Sequence, residues 1–110
     1  MSIMFKDSDP KKFSNGPAAY VLEVVGKGTY IGSTRRLHRR HYEHMNRLEK
    51  GTHHNLDLQA DYTGPSSVNF SFYPFQTKEQ AIKKERELAN KLALSGKLYN
   101  KQHFSVYSGK

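Results

Sequence analysis

The sequence contains no cysteine and no tryptophan, and it has no long apolar run. Without cysteine, disulfide bonds and thiolate metal ligands are excluded, and a reducing compartment is compatible with the chain. The N-terminal stretch MSIMFKDSDPKKF is polar after its first residues, and no later segment approaches the roughly 20 apolar residues of a membrane helix. The sequence therefore predicts neither export nor a membrane span, and a cytoplasmic protein is expected.

Acidic residues are also scarce relative to basic ones. The chain has 10 Asp and Glu against 18 Lys and Arg, which gives a formal net charge of +8. On a small domain this excess favours a polyanionic partner. Nucleic acid is favoured over an anionic membrane, because no basic amphipathic helix with a large apolar face is evident. A basic surface that serves only solubility is the alternative.

Length and composition predict a single small domain. The 110 residues fall in the usual range for one domain, and Tyr and Phe must supply much of the core because Trp is absent. Residues 1–16 mix charged residues with Ser, Pro and Gly, and are expected to form an N-terminal extension with at most a short edge strand at residues 3–5. Residues 17–110 are expected to form the domain.

Two segments near the N-terminus predict a β-hairpin. Residues 18–25, AAYVLEVV, are rich in β-branched and aromatic side chains. The following GKG tolerates positive φ, so TYIG is expected to return as the partner strand. Ser33 and Thr34 are cap-type residues, and apolar residues at helical spacing predict a helix near residues 34–49 that Gly51 ends.

The second half of the chain predicts another strand and another helix. VNFSFYPF alternates apolar and polar residues and is ended by Pro74, after a polar loop with one helical turn around residues 56–60. Thr77 and Gln80 resemble a capping box that opens a helix reaching about residue 94. The expected fold is α+β, a small three-stranded antiparallel sheet flanked by helices.

The first predicted helix carries basic residues beside an apolar stripe. His44 falls within the stripe and Arg40 lies beside it, with Arg36 and Arg47 along the same flank. This arrangement can present cations to a phosphate at the boundary between core and solvent. The alternative is a solvated basic face with one interfacial histidine.

Histidines are concentrated in this region, so zinc must be considered. His38, His41 and His44 are spaced by three residues, but a helix turns His38 about 60° away from His44, on the side opposite Arg40. No cysteine and no carboxylate of clear ligand geometry lies nearby. A histidine-based zinc site is therefore not favoured.

The second predicted helix carries a carboxylate on its apolar face. Glu85 lies near the centre of that face, whereas Glu87 points to the opposite side. A carboxylate among apolar neighbours costs several kcal/mol unless it is paired or binds a cation. Either a magnesium ion or an ion pair with an arginine of the first helix would explain Glu85.

Together these residues resemble the GIY-YIG nuclease family. YIG is present literally at residues 30–32, and Tyr20 stands where the GIY tyrosine would be, although AA replaces its GI. The arginine, histidine, helical glutamate and later asparagine of the family correspond, at matching intervals, to Arg40, His44, Glu85 and Asn100. The complete ordered set is Tyr20, Tyr30, Gly32, Arg40, His44, Glu85 and Asn100.

The stretch from YIGS to LEKGTHHNLDLQ looks most like the catalytic domains of phage intron-encoded homing endonucleases, with His53 at the place of their loop histidine. The resemblance covers roughly residues 17–104. Those enzymes carry a separate DNA-recognition domain, for which this chain has no length. The resemblance therefore implies a catalytic module standing alone, of phage or mobile-element type, in the host cytoplasm if phage-encoded.

The resemblance implies a metal-dependent DNA endonuclease that hydrolyses phosphodiester bonds. Glu85 would hold Mg²⁺, with Mn²⁺ as an alternative, and Arg40 would neutralise developing charge. Tyr30 would activate water, its phenol acidified by nearby cations. His44 and Tyr20 would orient the nucleophile or relay its proton, and Asn100 completes the catalytic set.

DNA contacts are expected from a further set of residues: Gly32, Arg36, Arg39, Arg47, Lys50 and His53. Specificity would come from the loop at residues 51–67, the basic helices, a partner protein or oligomerisation. Two alternatives remain open at this level. The tyrosines can be sheet-packing residues, and the chain can be a catalytically silent nucleic-acid-binding module of the same fold.

Overall fold

The computed structural model describes residues 4–6, 9–95 and 98–100, and it has the expected α+β architecture. Short 3-10 helices at Pro10–Lys12 and Pro65–Ser67 precede the first and the third strand. The strands and α-helices are β1 Ala18–Val24, β2 Gly28–Thr34, α1 Leu37–Lys50, α2 Leu56–Asp61, β3 Val68–Pro74 and α3 Lys78–Ser95. The predicted fold, a three-stranded antiparallel sheet with helices, is confirmed.

The sheet has the order β2-β1-β3, so β1 is central and pairs with both neighbours in antiparallel fashion. The predicted hairpin joins β1 to β2 through a turn in which Gly26 has φ 76°. Tyr20 lies opposite Gly32, and Leu22 lies opposite Tyr30. Because directly opposed residues share a face, both tyrosines project from the same side of the sheet.

The two faces of the sheet are covered by different helices. The face that carries Tyr20 packs against α1 and α2 through the buried residues Leu37, Leu48 and Leu58. The opposite face packs against α3, whose buried Ala81 and Ala89 lie on the side that contacts β1 and β2. As a result β2 is the edge strand of the sheet, between α1 on one face and α3 on the other.

Helix α1 begins three residues later than predicted, at Leu37 instead of residue 34. Thr34 is still part of β2, where it pairs with Ala18. Its hydroxyl accepts a hydrogen bond from the Arg36 backbone N–H at 3.0 Å. The strand pairing therefore outcompetes the helix cap, although Gly51 ends the helix as expected, in a left-handed conformation.

The other predicted boundaries agree closely with the structure. Thr77 and Gln80 form a reciprocal capping box: the Gln80 N–H donates to the Thr77 hydroxyl at 3.2 Å and the Thr77 N–H donates to the Gln80 side chain at 3.1 Å. The predicted turn around residues 56–60 is helix α2, capped by Asn55.

The described part of the N-terminal segment packs on the sheet. Phe5 and Phe72 exchange backbone hydrogen bonds of 2.8 and 3.2 Å, and Phe13 packs edge-on against Phe72. Pro10 is also buried. Phe5, at the end of the edge strand expected at residues 3–5, forms an isolated bridge to Phe72, and residue 3 lies outside the described residues. None of the helices in the described ranges combines the length and apolar composition needed to cross a membrane.

Candidate active site

A cleft of about 250 Å³ opens at the edge formed by β2. Side chains from both faces of the sheet reach it, because β2 is the edge strand between α1 and α3. The polar side chains that line the cleft are Tyr20, Tyr30, Ser33, Arg40, Lys78 and Glu85. The structure thus brings four of the six predicted catalytic and metal residues, together with Gly32, into one concave site.

Gly32 allows the Tyr20 phenol to extend toward this edge. The two residues are paired across β1 and β2, and a Cβ at Gly32 would collide with the Tyr20 hydroxyl and the adjoining ring carbon. The tyrosine ring therefore lies across the glycine. Gly32 was predicted as a nucleic-acid contact, and here its missing side chain positions Tyr20.

The Tyr20 hydroxyl begins a chain of buried hydrogen bonds. It lies 2.7 Å from Nε2 of His44, and Nδ1 of His44 lies 2.8 Å from Nε2 of His53. The Asn55 backbone N–H donates to Nδ1 of His53 at 3.0 Å. His44 and His53 are 4% and 3% exposed. The structure thus places His53 in the interior, where it contacts His44 instead of presenting a surface for DNA.

Burial controls the protonation of these groups. Desolvation, followed by the neighbouring cationic and histidine side chains, lowers the pKa of His44 to about 3 and that of His53 to about 4. Burial also raises the pKa of Tyr20, a change that Arg40 beside its hydroxyl partly offsets. Both histidines are therefore neutral at physiological pH.

The expectation that nearby cations acidify Tyr30 is wrong for the protein alone. Burial raises the pKa of Tyr30, and Arg40 lowers it only in part. Desolvation of the phenolate outweighs the favourable charge because the ring is 8% exposed. In the protein alone, the positive charge of Arg40 is therefore not enough to acidify Tyr30.

His54, which sequence reasoning missed, lies next to Tyr30. Its Nε2 is 3.2 Å from the Tyr30 hydroxyl, and its side chain is exposed where that of His53 is buried. The sequence signal for His54 was its position directly after His53 in THHN. Neighbouring residues of a loop point in different directions, so the two histidines could be expected to have different partners. His53 joins the hydrogen-bond chain that begins at Tyr20, and His54 contacts the Tyr30 hydroxyl.

Glu85 is 4% exposed, as its position on the apolar face predicted, whereas the Glu87 side chain is 58% exposed. The Ser33 hydroxyl donates to Oε1 of Glu85 at 2.6 Å, and the Lys78 ammonium donates to Ser33 at 3.1 Å. Burial lowers the pKa of Lys78, and Glu85 partly offsets this. Ser33 and Lys78 were both missed, although Lys78 precedes Glu85 by seven residues, two turns along the same helix face.

The donor set at Glu85 fits a hard divalent cation such as Mg²⁺. In the described ranges, no three His, Asp or Glu side chains converge to hold a metal ion. Mg²⁺ commonly uses one or two carboxylates and completes its shell with water and phosphate oxygens. A carboxylate offers about four acceptor positions, so the bond from Ser33 is compatible with a cation at the same group.

Asn100 lies at the outer edge of β2, next to the cleft. Its Oδ1 accepts from the Ile31 N–H at 2.8 Å, and its Nδ2 donates to the Ile31 carbonyl at 2.6 Å. The amide therefore pairs with the strand backbone in the manner of a neighbouring strand. This places Asn100 as an anchor for the strand that carries Tyr30 and Gly32.

A basic groove of about 420 Å³ continues from the cleft, sharing Arg40 and Lys78 with it. Arg36 and Arg39, predicted DNA contacts, line this groove, whereas Arg47 and Lys50 line neither concavity. The Arg39 and Arg40 guanidinium groups both donate to Glu43, at 3.3 and 3.2 Å. The remaining groove residues are Thr34 and Arg35.

Comparison with known proteins agrees with this geometry. A family model described as the GIY-YIG catalytic domain matches residues 18–106, which include the sheet, its helices and every residue of the ordered set. The chain therefore belongs to the GIY-YIG family. A domain of this kind implies a nuclease with DNA as its substrate. No curated protein and no solved structure matched the chain.

Replacement of Gly32 by alanine is expected to destabilise the domain by about 1–3 kcal/mol, because the added methyl group overpacks the Tyr20 ring. Chemical denaturation measures the effect. Gly16→Ala is the matched control, since its Cβ would meet Ser14 at an ordinary 3.5 Å, and a change within about 0.5 kcal/mol is expected there. Equal stabilities of the two variants would contradict the close approach of Tyr20 to Gly32.

The buried histidines predict a loss of stability in acid. The pKa of His44 is about 3 in the folded protein against 6.5 for an unperturbed histidine, so above pH 6.5 the group is neutral in both states and contributes no pH dependence. As the pH falls below 6.5 only the unfolded chain takes up this proton, and the free energy of unfolding falls by about 1.4 kcal/mol per pH unit.

Denaturant titrations between pH 7 and pH 4.5 check this slope. His44→Gln removes the titrating ring and is expected to flatten the pH dependence relative to the parent. An unchanged slope in that variant would show that His44 is not the group responsible.

Proposed function

We propose that the protein is a metal-dependent DNA endonuclease that hydrolyses phosphodiester bonds in the cleft at the edge of β2. The observation that carries the proposal is the meeting of a buried carboxylate, Glu85, with Arg40 and two tyrosine hydroxyls in one cleft. Nucleic-acid binding alone does not need a carboxylate buried beside a phosphate site, because the carboxylate repels the phosphate. A cation at Glu85 turns that repulsion into attraction.

Glu85 would hold Mg²⁺, or Mn²⁺ in its place. When bound, the ion supplies charge stabilisation for the phosphate and for the leaving oxygen. Ser33 holds Oε1 of the carboxylate in position by its 2.6 Å hydrogen bond. Lys78 adds a second positive charge on the same side of the cleft, which attracts phosphate when the DNA enters.

Arg40 would neutralise the charge that develops on the phosphate in the transition state. Its guanidinium is half-buried at the boundary of the cleft and the groove, where it contacts Tyr20 and Glu43. The ion pair with Glu43 fixes the direction of the side chain and leaves the other guanidinium donors available for phosphate. A preorganised cation of this kind stabilises a transition state without reorganisation.

Tyr30 would take the proton of the attacking water, with His54 at 3.2 Å as the next acceptor. The raised pKa of Tyr30 means that this step depends on positive charge brought together at the cleft by the bound substrate and ion. Tyr20 and His44 would orient the nucleophile or the phosphate, and Asn100 would hold β2 in register.

DNA would follow the basic groove, with Arg36 and Arg39 on its backbone and with Arg47 and Lys50 as more distant contacts. Specificity would come from the loop at residues 51–67, a partner protein or a second copy of the chain. The likeness of YIGS and LEKGTHHNLDLQ to phage intron-encoded homing endonucleases supports a phage or mobile-element type. The protein would then act in the cytoplasm of the host.

Glu85→Gln is expected to abolish cleavage, lowering the rate by about a hundredfold or more, because the metal carboxylate is lost. Single- and double-stranded DNA are incubated with Mg²⁺, Mn²⁺ or EDTA, and gel-shift assays in EDTA report binding separately. Glu87→Gln is the matched control on the exposed side of the same helix. If neither EDTA nor Glu85→Gln reduces cleavage, the proposal fails. DNA binding by the parent without any cleavage would identify a catalytically silent binding module.

Arg40 and Arg39 are expected to differ in kinetic effect although they are adjacent and share Glu43. Arg40→Ala is expected to lower kcat by about 10²–10³, the usual effect of removing one preorganised transition-state donor. Arg39→Ala is expected to raise KM and reduce the salt dependence of DNA binding, with kcat unchanged. The reason is that Arg39 is exposed and would contact only the phosphate backbone of the DNA. Equal kinetic effects would contradict the separate roles.

A further inference from the structure

The hydrogen bond from Asn55 to His53 fixes the position of a proton. A backbone N–H can only donate, so Nδ1 of His53, 3.0 Å from the Asn55 nitrogen, must be an unprotonated acceptor. A neutral imidazole has one N–H, which in His53 is therefore on Nε2. Turning the ring by 180° would place carbon atoms against both partners.

This choice determines the protonation of His44 as well. The Nε2–H of His53 points to Nδ1 of His44 at 2.8 Å, so Nδ1 accepts. His44 then carries its proton on Nε2, which lies 2.7 Å from the Tyr20 oxygen. If His44 instead donated from Nδ1, both ring nitrogens of His53 would have to accept a hydrogen bond. His53 would then be an imidazolate anion inside a buried cluster, and the free-energy cost of burying that charge is prohibitive.

The loop that supplies the Asn55 N–H is itself held at both ends. The Asn55 side chain accepts from the Leu58 N–H at 3.0 Å, as the cap of α2, and donates to the Tyr99 carbonyl at 2.8 Å. Gln59 accepts from the His53 N–H and donates to the Leu48 carbonyl, each at 3.0 Å. These bonds tie the loop to α1 and α2, so the donor cannot turn away.

We propose that His53 is a positioning residue that holds His44 in its Nε2–H tautomer, so that Tyr20 accepts from His44 and directs its own O–H into the cleft. This rests on the proposed nuclease function and refines it. The Tyr20 hydroxyl has one O–H, and with His44 donating to its oxygen that O–H is left to point into the cleft, where Arg40 also lies. Tyr20 is therefore a hydrogen-bond donor to a phosphate oxygen or to the attacking water, and the role of base belongs to Tyr30.

Imidazole-¹⁵N histidine labelling tests the tautomers directly. Long-range proton–nitrogen correlation spectra of the parent at pH 7 are expected to show His44 and His53 as neutral rings protonated on Nε2. His44 protonated on Nδ1, or averaged between the two forms, would overturn the proposal. The measurement needs neither DNA nor metal, so its outcome is independent of whether the protein cleaves DNA.

The isosteric pair His53→Gln and His53→Glu tests the consequence for catalysis. Glutamine can donate to Nδ1 of His44 and still accept from Asn55, whereas an ionised glutamate can only accept. His53→Gln is expected to retain most of kcat and the His44 tautomer. His53→Glu is expected to protonate Nδ1 of His44 and to lower kcat by at least about tenfold with KM unchanged, as when a histidine is held in the wrong tautomer.

Thermal melting establishes whether both variants fold, and the spectrum of the parent decides the question if His53→Glu does not. Equal kcat values for the two folded variants would overturn the proposed role. If the parent cleaves no DNA under any condition, the nuclease function fails while the tautomers remain measurable.

Discussion

The contact between the Tyr20 ring and the backbone of Gly32 is the constraint on which the site depends. Tyr20 is on the central strand, and its hydroxyl reaches the sheet edge only because the edge strand has no side chain at the paired position. Once there, the hydroxyl meets His44 from α1 and lies beside Arg40. A larger residue at position 32 would separate the tyrosine from both. The glycine of the YIG motif is thus explained by packing and does not require a contact with DNA.

The edge position of β2 also explains how opposite charges come together. Arg40 approaches over the face that carries the tyrosines, while Glu85 approaches over the other face through Ser33, which alternates with Gly32 along the strand. Because the sheet lies between α1 and α3, the carboxylate and guanidinium face a shared cleft across β2. A phosphate with a divalent cation fits such a site better than either ion alone, since the cation satisfies the carboxylate and the arginine satisfies the phosphate.

Periodicity and turn chemistry predicted most of the elements and the buried positions of His44 and Glu85. Both positions could be predicted because helix geometry fixes the direction of a side chain once the apolar face of the helix is known. The start of α1 was misplaced, since Thr34 is held in β2 by pairing with Ala18 across the sheet. Propensity describes a residue's local preference, and a cross-strand partner overrides it. The raised pKa of Tyr30 in the protein alone was not predicted for a similar reason, because burial depends on neighbours that are distant in sequence.

The order of strands and helices along the chain, the basic character of the surface and the ordered residues that mark a GIY-YIG domain could all be predicted from the sequence. These follow from local geometry and composition, which the chain carries wherever it folds. Three further properties depend on how the chain folds: Lys78 and Ser33 join Glu85, His53 lies inside while His54 contacts Tyr30, and the buried histidine rings carry their protons on particular nitrogens. Those properties arise from distances between elements far apart in the chain, such as the 2.8 Å that joins His44 to His53. A hydrogen bond acts only over such short distances, so folding must bring the two rings together before it acts.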